Sequence, residues 1–176
     1  MFGTRRFKRA TGGDAGSETA SPQVLRARAI GWLARRDHSR AELRQKLARL
    51  SASAADIEAL LDALETEHLL SDQRFAAGVA RVRGARFGSQ RVANELRQKG
   101  VGAEVAGLVA GLKAGDLALA HSVWERKFGM APANAAERAR QMRFLQARGF
   151  PGDVIRKVVP KAGAVVPKVG ADAGDQ

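Results

Sequence analysis

Apolar residues recur at helical spacing along almost the whole of this chain, from residue 21 to residue 160. Leu25, Ala29, Trp32 and Leu33 show the pattern, because residues three or four apart lie on one face of an α-helix. No stretch shows the strict alternation of apolar and polar residues that a half-buried strand requires. The sequence therefore predicts an all-α fold.

Capping residues and apolar stripes together divide this region into nine predicted helices. A serine or aspartate at the start of a helix accepts a hydrogen bond from the free backbone N–H groups of the first turn. The predicted caps are Ser21, Ser39, Ser53, Ser71, Ser89 and Asp116. Nine helices divide into three sets of three.

Internal repetition supports that division. The pentapeptide Glu-Leu-Arg-Gln-Lys occurs at residues 42–46 and again at 95–99. The third predicted helices of the first two sets share one spacing of apolar residues, and the segment 99–101 resembles 148–150. These matches predict three tandem three-helix repeats with a period close to 50 residues.

We expect the repeats to occupy residues 21–70, 71–114 and 115–160. Residues 1–20 and 161–176 are rich in small residues and lack apolar periodicity. Such segments bury too little apolar surface to fold, so both are predicted to be disordered tails, the first of them basic.

The net charge of +12 suggests a polyanion or an acidic protein surface as a partner. Residues 1–20 contribute +2 and residues 161–176 contribute zero, so +10 belongs to the predicted repeats. The densest basic segment crosses the fourth and fifth predicted helices, and it is our candidate binding face. Its residues are Arg81, Arg83, Arg86, Arg91, Arg97 and Lys99. The alternative explanation of this charge is that the arginines only keep the chain soluble.

The aromatic residues allow two kinds of role. Trp32 and Trp124 occupy corresponding positions in the first helices of their repeats, so we predict that both anchor the core. Phe87 lies in a turn between Arg86 and Gly88, where its ring could contact a nucleobase or a partner, or pack within the turn.

No catalytic constellation is visible in the sequence. The chain has no cysteine, and His38, His68 and His121 lack the mutual spacing of metal ligands. Residues 84–89 are glycine-rich but lack the Gly-Lys-Ser/Thr ending of a phosphate loop. We therefore expect no enzyme activity, metal or cofactor. No apolar run approaches the roughly 20 residues that span a bilayer, so we expect a cytoplasmic protein without membrane contact.

Several motifs, in order, resemble the RecX family of bacterial proteins over roughly residues 23–159. The motifs are Leu33-Ala34-Arg35-Arg36-Asp37-His38-Ser39, Glu42-Leu43-Arg44-Gln45-Lys46-Leu47, Ser71-Asp72-Gln73-Arg74-Phe75-Ala76, Glu95-Leu96-Arg97-Gln98-Lys99-Gly100, Phe144-Leu145 and Arg148-Gly149-Phe150.

The resemblance implies an elongated, curved array of nine helices that binds along the groove of the RecA recombinase–DNA filament and spans neighbouring protomers. It implies inhibition of filament growth, ATP hydrolysis, strand exchange and repressor self-cleavage, in recombination, DNA repair and the SOS response. The implied partner is the RecA filament. The positive charge of the repeats separately predicts weak binding, without sequence preference, to single- and double-stranded DNA. We expect the chain to act as a monomer.

Two other functions are compatible with the residues. One is an autonomous helix-turn-helix-like DNA-binding repeat protein, for which Arg91, Asn94 and Gln98 are the candidate base-reading residues. The other is a plain scaffold. Operator affinity on bare DNA would favour the first, whereas binding that requires the recombinase would favour the role implied by the resemblance.

Overall fold

The computed structural model describes residues 21–50, 53–102 and 105–164, and every regular element in these ranges is helical. The predicted all-α class is confirmed. The helices are α1 Pro22–Leu33, α2 Arg40–Ala48, α3 Ala54–Thr66, α4 Asp72–Arg83, α5 Ser89–Gln98, α6 Ala106–Lys127, α7 Ala135–Gln146 and α8 Gly152–Val158. The predicted tails, 1–20 and all but the first four residues of 161–176, lie outside the described ranges.

The expected count of nine helices is wrong, because the sixth and seventh predicted helices form the single 22-residue α6. Asp116, which we expected to open a new helix, lies inside α6 and is 2% exposed. Alanine and leucine dominate this segment and it contains no proline, so the backbone can continue as a helix. The expected boundary between residues 114 and 115 therefore falls within one continuous helix.

Serine caps begin four helices, as the sequence predicts. The side-chain oxygens of Ser21, Ser39, Ser53 and Ser71 each accept a hydrogen bond from the backbone N–H three residues later, at 3.1–3.5 Å. The fifth predicted cap is wrong by one residue. Gly88 occupies the cap position of α5, and Ser89 is the first helical residue.

Each three-helix unit has its own hydrophobic core. The first is built on α1–α3, the second on α4, α5 and the first half of α6, and the third on the second half of α6 with α7 and α8. All the extensive helix pairings among the described residues lie within these units. The fold is therefore three three-helix domains in tandem, with α6 shared by the last two.

The repeat period can be read from the buried leucines. Leu47, Leu96 and Leu145 are 0–1% exposed and are spaced by 49 residues. The two identical pentapeptides do not share this spacing, because residues 42–46 lie near the start of α2 and residues 95–99 end α5. The repetition predicted from the pentapeptide exists, but the pentapeptide alignment is displaced from it by about one helical turn.

The two tryptophans differ in burial. Trp124 is 2% exposed, and its indole N–H donates to Gln141 Oε1 at 2.8 Å. Trp32 is only partly buried at the edge of the first core, with Lys46 Nζ 5.0 Å from the ring centroid. The expectation of a core anchor holds for Trp124 and is only partly met by Trp32.

We expect Trp32→Ala to destabilise the chain by about 2 kcal/mol. This is about half of the roughly 3–5 kcal/mol for a fully buried tryptophan, because part of the Trp32 ring already faces solvent. Urea unfolding of Trp32→Ala, with Trp124→Ala as the buried reference, measures the difference. Equal losses for the two variants would contradict this assignment.

Candidate nucleic-acid interface

The second helices of successive domains meet end to end. At the first junction the start of α2 faces the end of α5. There Ser39 Oγ donates to the Lys99 carbonyl oxygen at 2.6 Å, and the backbone N–H of Arg40 donates to Asp72 Oδ1 at 2.7 Å. Lys99 Nζ donates to Glu42 Oε1 at 2.6 Å. The positive end of one helix dipole thus lies against the negative end of the next, which is favourable.

The second junction repeats this arrangement between the start of α5 and the end of α7. The Gly88 N–H donates to the Arg148 carbonyl oxygen at 2.9 Å. Asp116 accepts two hydrogen bonds from Ser89, from the backbone N–H at 2.9 Å and from Oγ at 2.5 Å. Asp116 therefore caps the helix of the preceding domain, as Asp72 does at the first junction.

Glycine is required where α5 and α7 end. Gly100 and Gly149 have φ values of +76° and +80°, in the left-handed region that favours glycine. A Cβ atom would lie 2.5 Å from Ala41 Cβ at Gly100, and 2.3 Å from Arg91 Cβ at Gly149. Both glycines therefore allow the end of one helix to approach the preceding domain closely.

Three of the six predicted basic residues line one groove. Arg83, Arg91 and Lys99 surround an open groove of about 450 Å³ along α5, together with Phe87, one anion, Glu95, and uncharged polar side chains of α5. We call this the basic groove. It has positive charge and an aromatic ring at one place, the combination used to bind nucleic-acid phosphates and bases.

Arg91 is the least neutralised of these three cations. Its guanidinium lies 4.2 Å from the centroid of the Phe87 ring and donates to the Ala147 carbonyl oxygen at 3.0 Å. Arg83 pairs with Glu95 at 3.3 Å and Lys99 pairs with Glu42 at 2.6 Å. Within the described part of the chain, Arg91 has no ion pair, so most of its charge remains available to a phosphate.

The other three predicted residues lie elsewhere. Arg81 lines a neighbouring groove against α4, together with Arg83 and Lys99. Arg86 is exposed in the turn between α4 and α5. Arg97 lies on another side of α5, where it lines a separate groove with Lys113. The predicted face is therefore divided between two sides of α5.

Sequence reasoning missed the basic residues of α2. Lys46 and Arg49 line a groove of about 380 Å³ across the first junction, together with Lys99 and Gln98. Since Lys99 and Gln98 also line the basic groove, positive charge continues from α5 onto α2. Identifying these residues requires the end-to-end order of the second helices, which no local pattern in the sequence reveals.

Glu42 holds the first junction together electrostatically. Its carboxylate accepts from Lys99 Nζ at 2.6 Å and from Arg36 Nη1 at 3.0 Å. Burial raises the pKa of Glu42, but the hydrogen bonds from Lys99 and Arg36 outweigh burial, and the net pKa lies below the usual value. Glu42 therefore stays ionised at neutral pH and fixes the position of Lys99.

His38 is buried beside this junction as a neutral imidazole. It is 3% exposed, and Lys46 Nζ donates to Nε2 at 2.9 Å. The protonated Nδ1 then donates to the Arg36 carbonyl oxygen at 3.0 Å. Burial, followed by the nearby positive charges of Arg36 and Lys46, lowers the pKa of His38 below 6.5.

We expect the free energy of unfolding to fall as the pH drops below 6.5. The unfolded chain then binds a proton at His38 that the folded chain does not yet bind, so the unfolded state is favoured. The stabilisation is complete above pH 6.5 and is lost as pH falls from 6.5 toward the lower pKa of the folded chain. Urea unfolding between about pH 8 and about pH 5 measures it, and His38→Gln should flatten the profile.

His121→Gln provides a matched control, because His121 is exposed on α6. If His121→Gln and His38→Gln changed the pH profile equally, the assignment of the titration to His38 would be wrong.

In residues 21–50, 53–102 and 105–164, no group of three histidine, aspartate or glutamate side chains is placed to hold a metal ion. No helix within the same ranges has the length and apolarity to cross a membrane.

Three tandem three-helix domains, with basic grooves that continue from the second domain onto the first, define a helical-repeat protein. Three RecX family domains match the chain, the first at residues 26–64, the second at 71–107 and the third at 115–159. The chain belongs to the RecX family, whose members are regulatory proteins and not enzymes.

The curated relatives are similar over most of their length. "Regulatory protein RecX" of Ralstonia nicotianae is 47% identical over 156 residues, covering 88% of this chain and 95% of the relative. The protein of the same name from Chromobacterium violaceum is 45% identical, covering 80% and 91%. The crystal structure of RecX from Lactobacillus salivarius shares the fold, with a TM-score of 0.64, 19% identity and coverage of 78% and 93%.

Proposed function

We propose that this chain binds the RecA recombinase–DNA filament and restrains its ATP hydrolysis, strand exchange and promotion of repressor self-cleavage. Membership of the RecX family supports the recombinase filament as the binding target. The basic groove is the observation that carries the mode of binding, because Arg91 stacked on Phe87 offers a guanidinium and a ring at one surface.

The end-to-end order of α2, α5 and α7 supports an extended contact. The basic groove on α5 continues into the groove of Lys46 and Arg49 on α2 across the first junction. A surface of this kind suits a long polyanionic partner better than a small ligand, because its charges are distributed over two domains.

We propose weak, sequence-tolerant binding to bare DNA. A helix that reads bases places its N-terminal residues in the major groove. The start of α5 is instead covered by the second junction, where Gly88 and Ser89 are buried. Although Arg91, Asn94 and Gln98 are exposed, this placement argues against an autonomous sequence reader.

We also propose that the chain acts as a monomer, because a net charge of +12 makes two copies repel each other. We further propose that it is cytoplasmic. The limits 21–70, 71–114 and 115–160 are retained as proposed repeat limits, with the last boundary crossed by α6.

The purified chain is expected to slow DNA-dependent ATP hydrolysis by RecA filaments when it is present well below the recombinase concentration. A competitor for DNA must cover the strand to act, whereas a protein that blocks filament growth or braces neighbouring protomers acts at few sites. A coupled ATPase assay on single-stranded DNA, with strand exchange as the second measurement, gives the concentration for half inhibition.

Unchanged ATPase and strand exchange at equimolar chain, in a salt concentration that keeps the filament intact, would refute the proposed function. Inhibition that appears only when the chain saturates the DNA would instead indicate simple competition for the strand.

A further inference from the structure

A second groove lies on the side of α5 that carries Arg97, away from the basic groove. It has a volume of about 430 Å³, lies between α5 and the first half of α6, and we call it the α5–α6 groove. The apolar surface in it is Val109, which is half-buried, whereas the lining residues Val101 and Val105 already belong to the second core. Among the described residues that line it, the charged ones are Arg97 and Lys113, and both are cations.

The solvent-facing surface of α6 extends this apolar groove. Ala106 and Ala110 line it and are exposed, and Leu117 follows at helical spacing with 48% exposure. Exposed apolar side chains that adjoin one another in this way favour contact with another protein over solvent.

Glycines border the same surface at every fourth position. A Cβ atom added at Gly107, Gly111 or Gly115 would meet nothing within 4 Å, so packing within the chain does not require glycine there. Glycine is less favourable than alanine inside a helix, so these positions weaken α6 without an internal gain. The close approach of another backbone would explain these glycines, because such an approach requires positions without a Cβ atom.

We propose that the α5–α6 groove binds a segment of a partner protein that carries apolar anchor side chains beside carboxylates, and that in the filament this partner is the recombinase. The inference rests on the proposed function. Apolar anchors would contact Val109 and the exposed alanines beside it, and carboxylates would pair with Arg97 and Lys113 at the rim.

The other occupants fit less well. Among the described residues that line the groove none is aromatic, so a nucleic acid would cover Val109 without a ring on which its bases could stack. A second copy of this chain carries the same net charge of +12 and would be repelled. An acidic, apolar protein segment is the occupant that both the charge and the apolar surface favour.

The test compares Ala110→Glu with Ala27→Glu. Both positions are exposed on helices and accept glutamate, a good helix former, so both variants should fold. Ala110→Glu places a carboxylate beside the α5–α6 groove, whereas Ala27→Glu adds the same charge on α1. Binding of each fluorescently labelled chain is measured on RecA–single-stranded-DNA filaments and on the same DNA without protein.

We expect Ala110→Glu to weaken filament binding by about tenfold or more, because a carboxylate would oppose the acidic segment. We expect its bare-DNA affinity, and both affinities of Ala27→Glu, to change by less than about threefold. Filament binding of Ala110→Glu equal to that of the unmodified chain would overturn the inference and leave the proposed function standing. An equal loss with Ala27→Glu would overturn it too.

Two further outcomes would assign the groove to another occupant and overturn the proposal. One is a tenfold loss of bare-DNA affinity in Ala110→Glu alone, which would indicate nucleic acid. The other is a dimer of the unmodified chain in sedimentation that Ala110→Glu dissociates, which would indicate a second copy. If the unmodified chain did not bind filaments at all, the proposed function itself would fail.

Discussion

Gly149→Ala is expected to destabilise the protein by about 2–5 kcal/mol. The backbone at Gly149 has φ +80°, where an alanine costs roughly 1–2 kcal/mol. The new Cβ would also lie 2.3 Å from Arg91 Cβ and 2.6 Å from the Arg91 backbone nitrogen. Overpacking of this kind costs a further 1–3 kcal/mol or so, because the start of α5 must move.

Gly163→Ala is the matched control. Gly163 has a similar φ of +74°, but a Cβ atom there would meet nothing within 4 Å. Urea unfolding of both variants separates the backbone cost, which they share, from the loss of close contact at the second junction. Equal destabilisation by the two substitutions would show that the approach of α7 to α5 does not contribute to stability.

Local patterns predicted the helical segments and the starts of four of the eight helices in the described part of the chain. Serine caps act within three residues of the chain, so sequence alone identified the starts of α1 to α4. The Lys99-Gly100 and Arg148-Gly149 pairs were recognised as equivalent, and the two glycines occupy equivalent junctions. These features are local, and their physical cause is contained in a few neighbouring residues.

Asp116 shows why the rest could not be predicted. An aspartate before an apolar stripe favours a helix start, and nothing nearby shows that its carboxylate binds Ser89, 27 residues earlier. The cap exists, but Asp116 caps α5 rather than its own helix. Because that partner is distant in sequence, the expected break between two helices was placed within α6.

The candidate basic face shows the same limit. The charge density of residues 81–99 was visible in sequence, but the division of that segment between two sides of α5 was not. Arg91 and Arg97 lie six residues apart on one helix, which places them about a third of a turn apart around its axis. The contribution of Lys46 and Arg49 depended on the order of helices across the first junction.

Two sides of α5 with different chemistry suggest how one small protein could hold a filament. The basic groove presents cations and a ring, whereas the α5–α6 groove presents Val109 and small apolar residues between two cations. A chain that needs both a polyanion and an acidic, apolar protein segment would bind the filament in preference to bare DNA. Variants on the two sides of α5 can test whether both surfaces are required.

The double variant Arg83→Glu/Arg91→Glu is expected to lower bare-DNA affinity by at least about tenfold at low salt, and to inhibit RecA ATPase poorly. Both arginines line the basic groove, so the variant replaces two cations with two anions where phosphates would lie. Each lost phosphate contact should also reduce the slope of log affinity against log salt by about 0.7–0.9.

Arg97→Glu is the control, because it makes the same type of charge change on the same helix but outside the basic groove. It should leave the salt slope for bare DNA unchanged. Fluorescence anisotropy on labelled single-stranded DNA over a salt series measures affinity and slope, and circular dichroism checks that each variant keeps its helices. Since Arg83 and Arg91 are exposed, the fold should persist, although Arg91→Glu removes the hydrogen bond to the Ala147 carbonyl oxygen at the second junction. A folded double variant with the unmodified slope and full inhibition would show that the filament is bound through a different face.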